Sequence, residues 1–382
     1  LNTALAHAGV SLAGSSAVRF AAVAVDRPRL LVATVARGED PPALTVTLGV
    51  DAEGLISGLT LKPLLPATPT TWTAVDAAVC SVAPDVHLLV ADTTGGACRA
   101  IHAIDPATPA PLGSMFKLYV LDALGRAVAA GRVSWDQPLT ITAARRSLPS
   151  GVLRDLPDGA RVSVRETAAK MISISDNTAA DMLIGLLGRS AVEAAVTATG
   201  MAQPRRDRPF LTTREFFTLK LDRWPTLARR YAAADEAGRR ALLADVVDRL
   251  PLPALDGARG WTAPREIGGV EWFASAEDVC RAYMSLAALA RRPGLGPLGD
   301  VLEINDGGLG LDRTEWRTTW FKGGGEPGVM TLGYLATARD GRRYFVGVLA
   351  QDRSAPIEPS AAATLLSAIK GAFTLAAAED PR

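Results

Sequence analysis

Histidine and cysteine are scarce in this chain of 382 residues, with three of each. A zinc hydrolase needs three or four converging ligands. Neither His7, His87 and His102 nor Cys80, Cys98 and Cys280 have metal-site spacing. Metal-dependent hydrolysis is set aside, and no cofactor or metal is expected. An excess of charge is also lacking: 41 basic residues against 40 acidic ones leave a formal +1. Nothing electrostatic therefore draws nucleic acid or an anionic membrane. No apolar run approaches the ~18 uninterrupted residues of a membrane-spanning helix, so no transmembrane segment is expected. Leu1 is neither an initiator Met nor the start of a recognisable signal peptide, so the N-terminus leaves localisation open.

What is present is the composition of a globular protein, 48% hydrophobic and 21% charged. Its 35 glycines and 25 prolines punctuate apolar runs and predict loops rather than disorder. The length suits two domains, or one large domain with an appendage. Residues 1–10 are compatible with a helix, and strands are expected at 29–36, 44–50 and 55–61. This gives a small α+β domain over 1–66 and a Pro-rich linker over 67–71. A larger domain follows over 72–376, with an insertion at about 222–270.

The larger domain is organised around Ser114-Met115-Phe116-Lys117. Serine and lysine three residues apart share one face of a helix near its N-terminus. A desolvated lysine there has its pKa lowered enough to take the serine proton. Ser175-Asp176-Asn177 follows, and Lys322-Gly323-Gly324 lies on a strand-like run further on. In order and type these resemble the three signatures of the serine β-lactamase and penicillin-binding-protein superfamily, S-x-x-K, S-D-N and K-T-G. The nearer likeness is to class A β-lactamase-related hydrolases. The third signature departs, because Gly323 stands where Thr or Ser is usual.

The resemblance implies an α/β fold: a five-stranded antiparallel sheet and an all-helical region, with the active site between them. It implies Ser114 as nucleophile, Lys117 as base, and Ser175 as proton relay. Asn177 holds Lys117 and the substrate carbonyl, while Lys322 sits beside the substrate carboxylate and Ser175. The backbone N–H groups of Ser114 and Gly325 form the oxyanion hole. Gly323, Gly324 and Glu326 are expected to border the substrate. The class A pattern also has a glutamate that activates the deacylating water. The stretch 201–210 has none, Glu166 precedes the second signature and reads as a helix cap, and Glu215 reads as a capping-box partner. Lys117 or, more remotely, Glu326 is left to substitute, although Glu326 also reads as a solvated turn residue.

In an exported protein of this kind Cys80 and Cys98 could pair, or both could be free thiols, and Cys280 reads as a small core residue. The first three strands resemble the end of an NTF2-like, steroid-isomerase-like domain. That domain order resembles β-lactamase-like hydrolases encoded with clavulanic-acid biosynthesis and related actinobacterial lipoproteins. By the same resemblance the chain is secreted, periplasmic or lipid-anchored at the cell envelope, with a cytoplasmic location still open. Its expected partner is a small-molecule acyl, ester or β-lactam substrate, and its oligomeric state is open. Three readings compete: an esterase or weak β-lactamase, a D-alanyl peptidase-like penicillin-binding protein, and a non-catalytic binding or accessory protein that kept the pocket.

Overall fold

The computed structural model describes residues 18–27, 30–37, 44–50 and 56–379. The helix expected at 1–10 lies outside them. Strands β1 (Val18–Arg27), β2 (Leu30–Arg37), β3 (Leu44–Val50) and β4 (Ile56–Pro63) form one antiparallel sheet in sequence order. β1 was not expected. Its pairing with β2 shifts register between Phe20 and Ala22 and again between Val23 and Val25, and such bulges break the alternation that marks a strand. A four-strand meander is a generic sheet, and the described residues give no evidence of a separate NTF2-like domain.

The rest of the chain builds an α/β unit. Helix α1 (Trp72–Cys80) is capped by Thr71 and leads into β5 (Asp85–Asp92), β6 (Arg99–Ile104) and the short β7 (Ala110–Pro111). A 3₁₀ turn, Gly113–Phe116, opens α2 (Lys117–Ala129). Strands β8 (Pro138–Thr140) and β9 (Arg161–Ser163) pair before α3 (Val164–Ser173), α4 (Asn177–Leu187) and α5 (Arg189–Ala198). Then come α6 (Thr213–Leu221), α7 (Thr226–Ala233), α8 (Glu236–Asp245) and α9 (Leu255–Arg259). Strand β10 (Phe273–Ala274) pairs with β7 and is followed by α10 (Ala276–Ala290) and α11 (Pro297–Glu303). The chain returns through β11 (Trp316–Glu326), β12 (Val329–Ala338) and β13 (Arg343–Gln351) to close with α12 (Ala361–Ala378).

The main sheet has the order β11-β12-β13-β5-β6 and is antiparallel throughout. Alternation along its strands separates two cores. Leu88, Val90, Val346 and Val348 face Val75, Leu365, Ile369 and Phe373 of α1 and α12. Leu89, Ala91, Phe345 and Leu349 face the helical region, where Tyr283 and Leu286 of α10 meet Leu118 and Leu121 of α2. Helix α12 is the one described helix long and apolar enough to cross a membrane. Its apolar residues pack on the sheet, so it reads as a core helix.

Two helix starts expected from sequence are complete capping boxes, Thr212 with Glu215 on α6 and Ser275 with Asp278 on α10. The third is half made. Ser163 accepts from the Glu166 N–H, but the Glu166 carboxylate turns to Lys170, one turn on, at 3.5 Å.

The cysteine readings need correction. Cys98 and Cys280 form a disulfide, with Cα atoms 6.3 Å apart, and Cys80 is free and exposed. The loop between β5 and β6 folds toward α10, so the partner of Cys98 comes from 182 residues away.

Candidate active site

Ser114 sits in the 3₁₀ turn rather than in the helix proper. In that geometry residues i and i+3 eclipse, so Ser114 and Lys117 align more closely than α-helical spacing would place them. Their side chains are 3.0 Å apart, Oγ to Nζ. Lys117 is fully buried, and its other partners are the Ser175 carbonyl (2.7 Å), Ser175 Oγ (3.0 Å) and Asn177 Oδ1 (2.5 Å). None of these oxygens is charged. Burial, then the nearby Lys322 ammonium, hold the Lys117 pKa well below the usual lysine value. A neutral amine in contact with a hydroxyl can accept its proton.

The second motif is delivered by a break between α3 and α4. Ser175 has φ 57, unusual for a residue with a side chain. Such strain persists only where the surroundings over-determine it, and here the determinants are visible. The Ser175 carbonyl accepts from Lys117 and Ser150, while Asp176 caps α4 through Ala179 N–H and accepts from Val152 and Leu153 N–H. A Cβ on Gly151 would fall 2.1 Å from the Asp176 carboxyl carbon, so only glycine fits. Asn177 is held by donation to the Leu148 carbonyl. Asp176 thus holds structure, through three backbone N–H groups.

Lys322 arrives on β11 and donates to Ser175 Oγ at 3.1 Å and to the Gly323 carbonyl at 2.5 Å. Burial pulls its pKa to about 7. Ser175 Oγ therefore bridges two buried amines. Behind Lys322 the strand presses against the turn that carries Ser114. A Cβ on Gly324 would lie 2.6 Å from Ser114 N, and one on Gly113 would lie 2.6 Å from Gly325 N. Bare glycine backbone brings the N–H groups of Ser114 and Gly325 to one cleft. A Cβ on Gly323 would meet the Phe321 ring at 3.0 Å and the Thr331 carbonyl at 3.1 Å. The position is tight for the hydroxyl side chain that the superfamily usually carries.

These residues open onto a cavity of about 410 Å³. Ser114, Ser175, Asn177, Gly323, Gly324, Gly325 and Glu326 line it. Several other lining residues were missed from the sequence. Phe216, Phe217, Trp261 and Trp272 supply an aromatic wall, and Thr213 and Glu271 supply polar atoms. Trp261 and Ala258 come from the insertion, which therefore frames part of the cavity.

Glu326 is not a solvated turn residue. It is buried, and its two oxygens accept from Lys220 Nζ at 2.5 and 2.7 Å. Lys220 is itself fully buried, with its ammonium 4.3 Å from the Phe216 ring centre. In the segment after α5, Asp207 is buried and accepts from Phe273 N–H. Glu215 is bound to Arg189 at 2.5 Å and lies outside the cavity lining. Among the described residues the carboxylates facing the cavity are Glu271 and Glu326.

The family described as β-lactamase enzyme family, Beta-lactamase2, matches residues 73–244, a span that includes Ser114 and Ser175 and ends before Lys322. β-Lactamase AST-1 of Nocardia asteroides is 27% identical over 302 residues, covering 72% of this chain and 86% of that protein. The family model and this relative are both described as β-lactamases. Solved structures agree on the fold. A β-lactamase of Sphaerobacter thermophilus superposes with TM-score 0.57 at 20% identity, covering 81% of this chain and all of that one. PBP-A superposes at 0.53 and 16% identity, covering 81% and 99%. A class A β-lactamase reconstructed as the last common ancestor of Gram-negative bacteria gives 0.56 and 17%, covering 79% and 97%. These similarities support a β-lactamase-like enzyme family, and the mixed α/β fold with its antiparallel sheet and helical region is consistent with a β-lactamase-like fold.

Proposed function

We propose that the protein is a serine hydrolase that forms an acyl-enzyme on Ser114 from an ester or β-lactam. The observation that carries this reading is Lys117: buried, without a carboxylate partner, and 3.0 Å from Ser114 Oγ. Neutral Lys117 Nζ takes the Ser114 proton as Oγ bonds to the acyl carbon. The resulting oxyanion is held by the Ser114 and Gly325 N–H groups, which bind the tetrahedral anion better than the planar carbonyl. As the tetrahedral species collapses, the bond to the leaving nitrogen or oxygen breaks. The Ser175 hydroxyl gives that atom its proton and is reprotonated from the Lys117 and Lys322 side. Lys322 also supplies the positive charge for a substrate carboxylate, without help from a hydroxyl at Gly323.

Deacylation is the slow half. Both carboxylates on the cavity already hold other donors, Glu326 the Lys220 ammonium and Glu271, through Oε2, the Gly113 and Trp272 N–H groups. Without a free carboxylate base the hydrolytic water loses assistance worth ~10²–10⁴ in rate, and Lys117 is left to activate it. This observation favours a penicillin-binding second reading for β-lactams, in which the adduct accumulates. A solved structure of PBP-A is an acyl-enzyme complex with penicillin G. Esters fare better in acylation, because an alkoxide leaves more readily than an ordinary amide nitrogen.

The Cys98–Cys280 disulfide supports an oxidising compartment, hence an exported protein. The division into an N-terminal unit over 1–66 and a hydrolase unit over 72–376 belongs to the same reading. The narrower likeness to hydrolases encoded with clavulanic-acid biosynthesis rests on domain order alone.

Rapid mixing with a chromogenic cephalosporin and with a chromogenic ester tests the proposal. A burst of about one equivalent followed by slow turnover, with the acyl mass on Ser114, is expected. No adduct with either compound overturns acylation and leaves the accessory-protein reading. Fast penicillin turnover without a burst would mean that a competent water-activating base is present.

A further inference from the structure

One side of the cavity is a wall of rings in series. Phe116, in the turn that carries Ser114, stacks on Trp272 with ring centres 3.8 Å apart. Trp272 stacks on Phe216 at 5.1 Å, Phe216 meets Trp261 at 6.2 Å, and Trp261 meets Phe217 at 6.2 Å. All of these rings line the cavity, yet each is less than a tenth exposed, because they pack on one another. Trp261 is fixed further by its Nε1–H, which donates to the Ala263 carbonyl at 2.6 Å. The wall is thus preformed, as apolar ligand sites usually are.

No Lys or Arg is among the residues lining this cavity. Its acidic members, Glu271 and Glu326, have one ammonium beside them, that of Lys220. With one glutamate or both ionised, that corner carries no positive charge. The cations against the Trp261 ring, Lys220 at 5.3 Å and Arg265 at 5.9 Å, are not among the lining residues. Lys322 is 2% exposed, off the lining, and already donates to Ser175 Oγ and the Gly323 carbonyl. A carboxylate on a ligand would rely on Lys322 alone, whereas an uncharged apolar group would meet the whole wall. We propose that the site takes uncharged esters with an extended aliphatic or aromatic acyl group, and that Trp261, brought in by the insertion, sets this preference.

The acyl side is assigned from the proton relay. The departing oxygen takes its proton from Ser175, so the alcohol leaves on the side of Ser175 and Lys117. The wall is joined to the other segments of the cleft. Glu271, next to Trp272, accepts from Gly113 N–H, and Lys220, whose ammonium lies on the Phe216 ring, holds Glu326 next to Gly325. The acyl chain, on another bond of the same carbon, faces that wall. In the reaction the bond from Ser114 Oγ to the acyl carbon forms, the ester C–O bond breaks, and the alcohol leaves with the relayed proton. Water later releases the acyl group as a carboxylic acid.

This preference rests on Ser114 acylation, and the experiment separates the two. Rapid mixing with 4-nitrophenyl acetate, butyrate and hexanoate keeps the leaving group constant, and each rate is divided by that of hydroxide hydrolysis. The acylation constant should rise about four-fold per methylene. The hexanoate-to-acetate ratio should fall about 10-fold in Trp261→Ala. The 4-nitrophenyl monoester of adipic acid, which ends the same chain in a carboxylate, should lose most of the gain. Ala258→Trp fills the cavity from the half-buried position beside Trp261, and should lower the same ratio with Trp261 in place. Equal constants for all chain lengths, or a wild-type ratio in folded Trp261→Ala, overturn the preference and leave acylation standing. Should Trp261→Ala not fold, a wild-type ratio in Ala258→Trp overturns it instead. If no ester acylates Ser114, calorimetry on Ser114→Ala protein decides. Neutral hexananilide should bind, and bind more weakly once Ala258→Trp is added. No binding, or equal binding of the monoanilide of adipic acid, overturns the inference.

Discussion

Lys117 and Lys220 are both fully buried, and both abut the same cavity through their partners. Their surroundings differ in one respect. Lys220 is gripped by the Glu326 carboxylate and covered by the Phe216 and Trp261 rings. Lys117 has hydroxyl, carbonyl and amide oxygens and a second ammonium nearby. The first environment repays a buried charge, and the second penalises it. One lysine is thereby suited to hold structure and the other to move a proton. The lesson is that burial alone does not make a base; burial without a counter-ion does.

The comparison breaks most simply at the nucleophile. Ser114→Ala should abolish the covalent adduct and lower ester turnover on the order of 10⁴-fold or more, as read by intact mass and initial rates. Lys117→Ala should lower the rate of adduct formation ~10²–10⁴-fold while the melting temperature holds or rises, because an unfavourable buried amine is gone. Lys117→Ala acylating at the wild-type rate would remove it as the base. Lys220→Met should behave in the opposite sense. It leaves Glu326 buried without its counter-charge, at a cost of ~3–5 kcal/mol in denaturant unfolding. If Lys220→Met were as stable as wild type, the ion pair would not hold the wall.

A control lies away from both lysines. The Cys98–Cys280 bridge closes a sequence separation of 182 residues between the β5–β6 loop and α10. Replacing both cysteines by serine should cost ~2–4 kcal/mol of stability and leave the adduct rate unchanged. A parallel loss of acylation would show that the cavity depends on that tether.

The two lysines also mark how far the sequence could be read. The environment of Lys117 was legible, because Ser114 lies three residues away and the Ser175-Asp176-Asn177 motif has its own order. The helix starts at Thr212 and Ser275 were legible too, since a cap and its partner are three residues apart. Lys220, Glu271 and Glu326 were not, because their meeting depends on α6, β10 and β11 packing at one corner. No local pattern encodes that. Glu326 read as a turn residue because Pro327-Gly328 follows it, whereas β11 extends through Glu326 and turns its side chain inward. Cys280 failed for the same reason as the acid pair: its helix periodicity was plain, and its covalent partner was remote. In β1 the obstacle was local, since two register shifts broke the alternation.

The smallest expected effect is also the one that separates the two environments by sign. Lys322 titrates at about 7 in the folded protein against 10.5 as the ordinary value. Between those limits the unfolded chain binds a proton that the folded chain does not, so this group makes stability rise with pH across the window. Lys117 is shifted in the same direction and adds to the slope. Glu271 and Glu326 act oppositely. Burial raises the folded pKa of this pair above the ordinary 4.5, so the folded corner keeps one shared proton that the unfolded chain has lost, and stability falls as pH rises through the folded value. One proton difference is worth at most about 1.4 kcal/mol per pH unit. Urea unfolding at several pH values, with the slope m held constant, reads the acid part from 4.5 upward and the amine part between 7 and 10.5. Lys322→Met should flatten the rising contribution in that window, and Glu271→Gln should remove part of the falling one. If both variants changed the slope in the same direction, the acid corner and the amine floor would not differ in the way their counter-ions require.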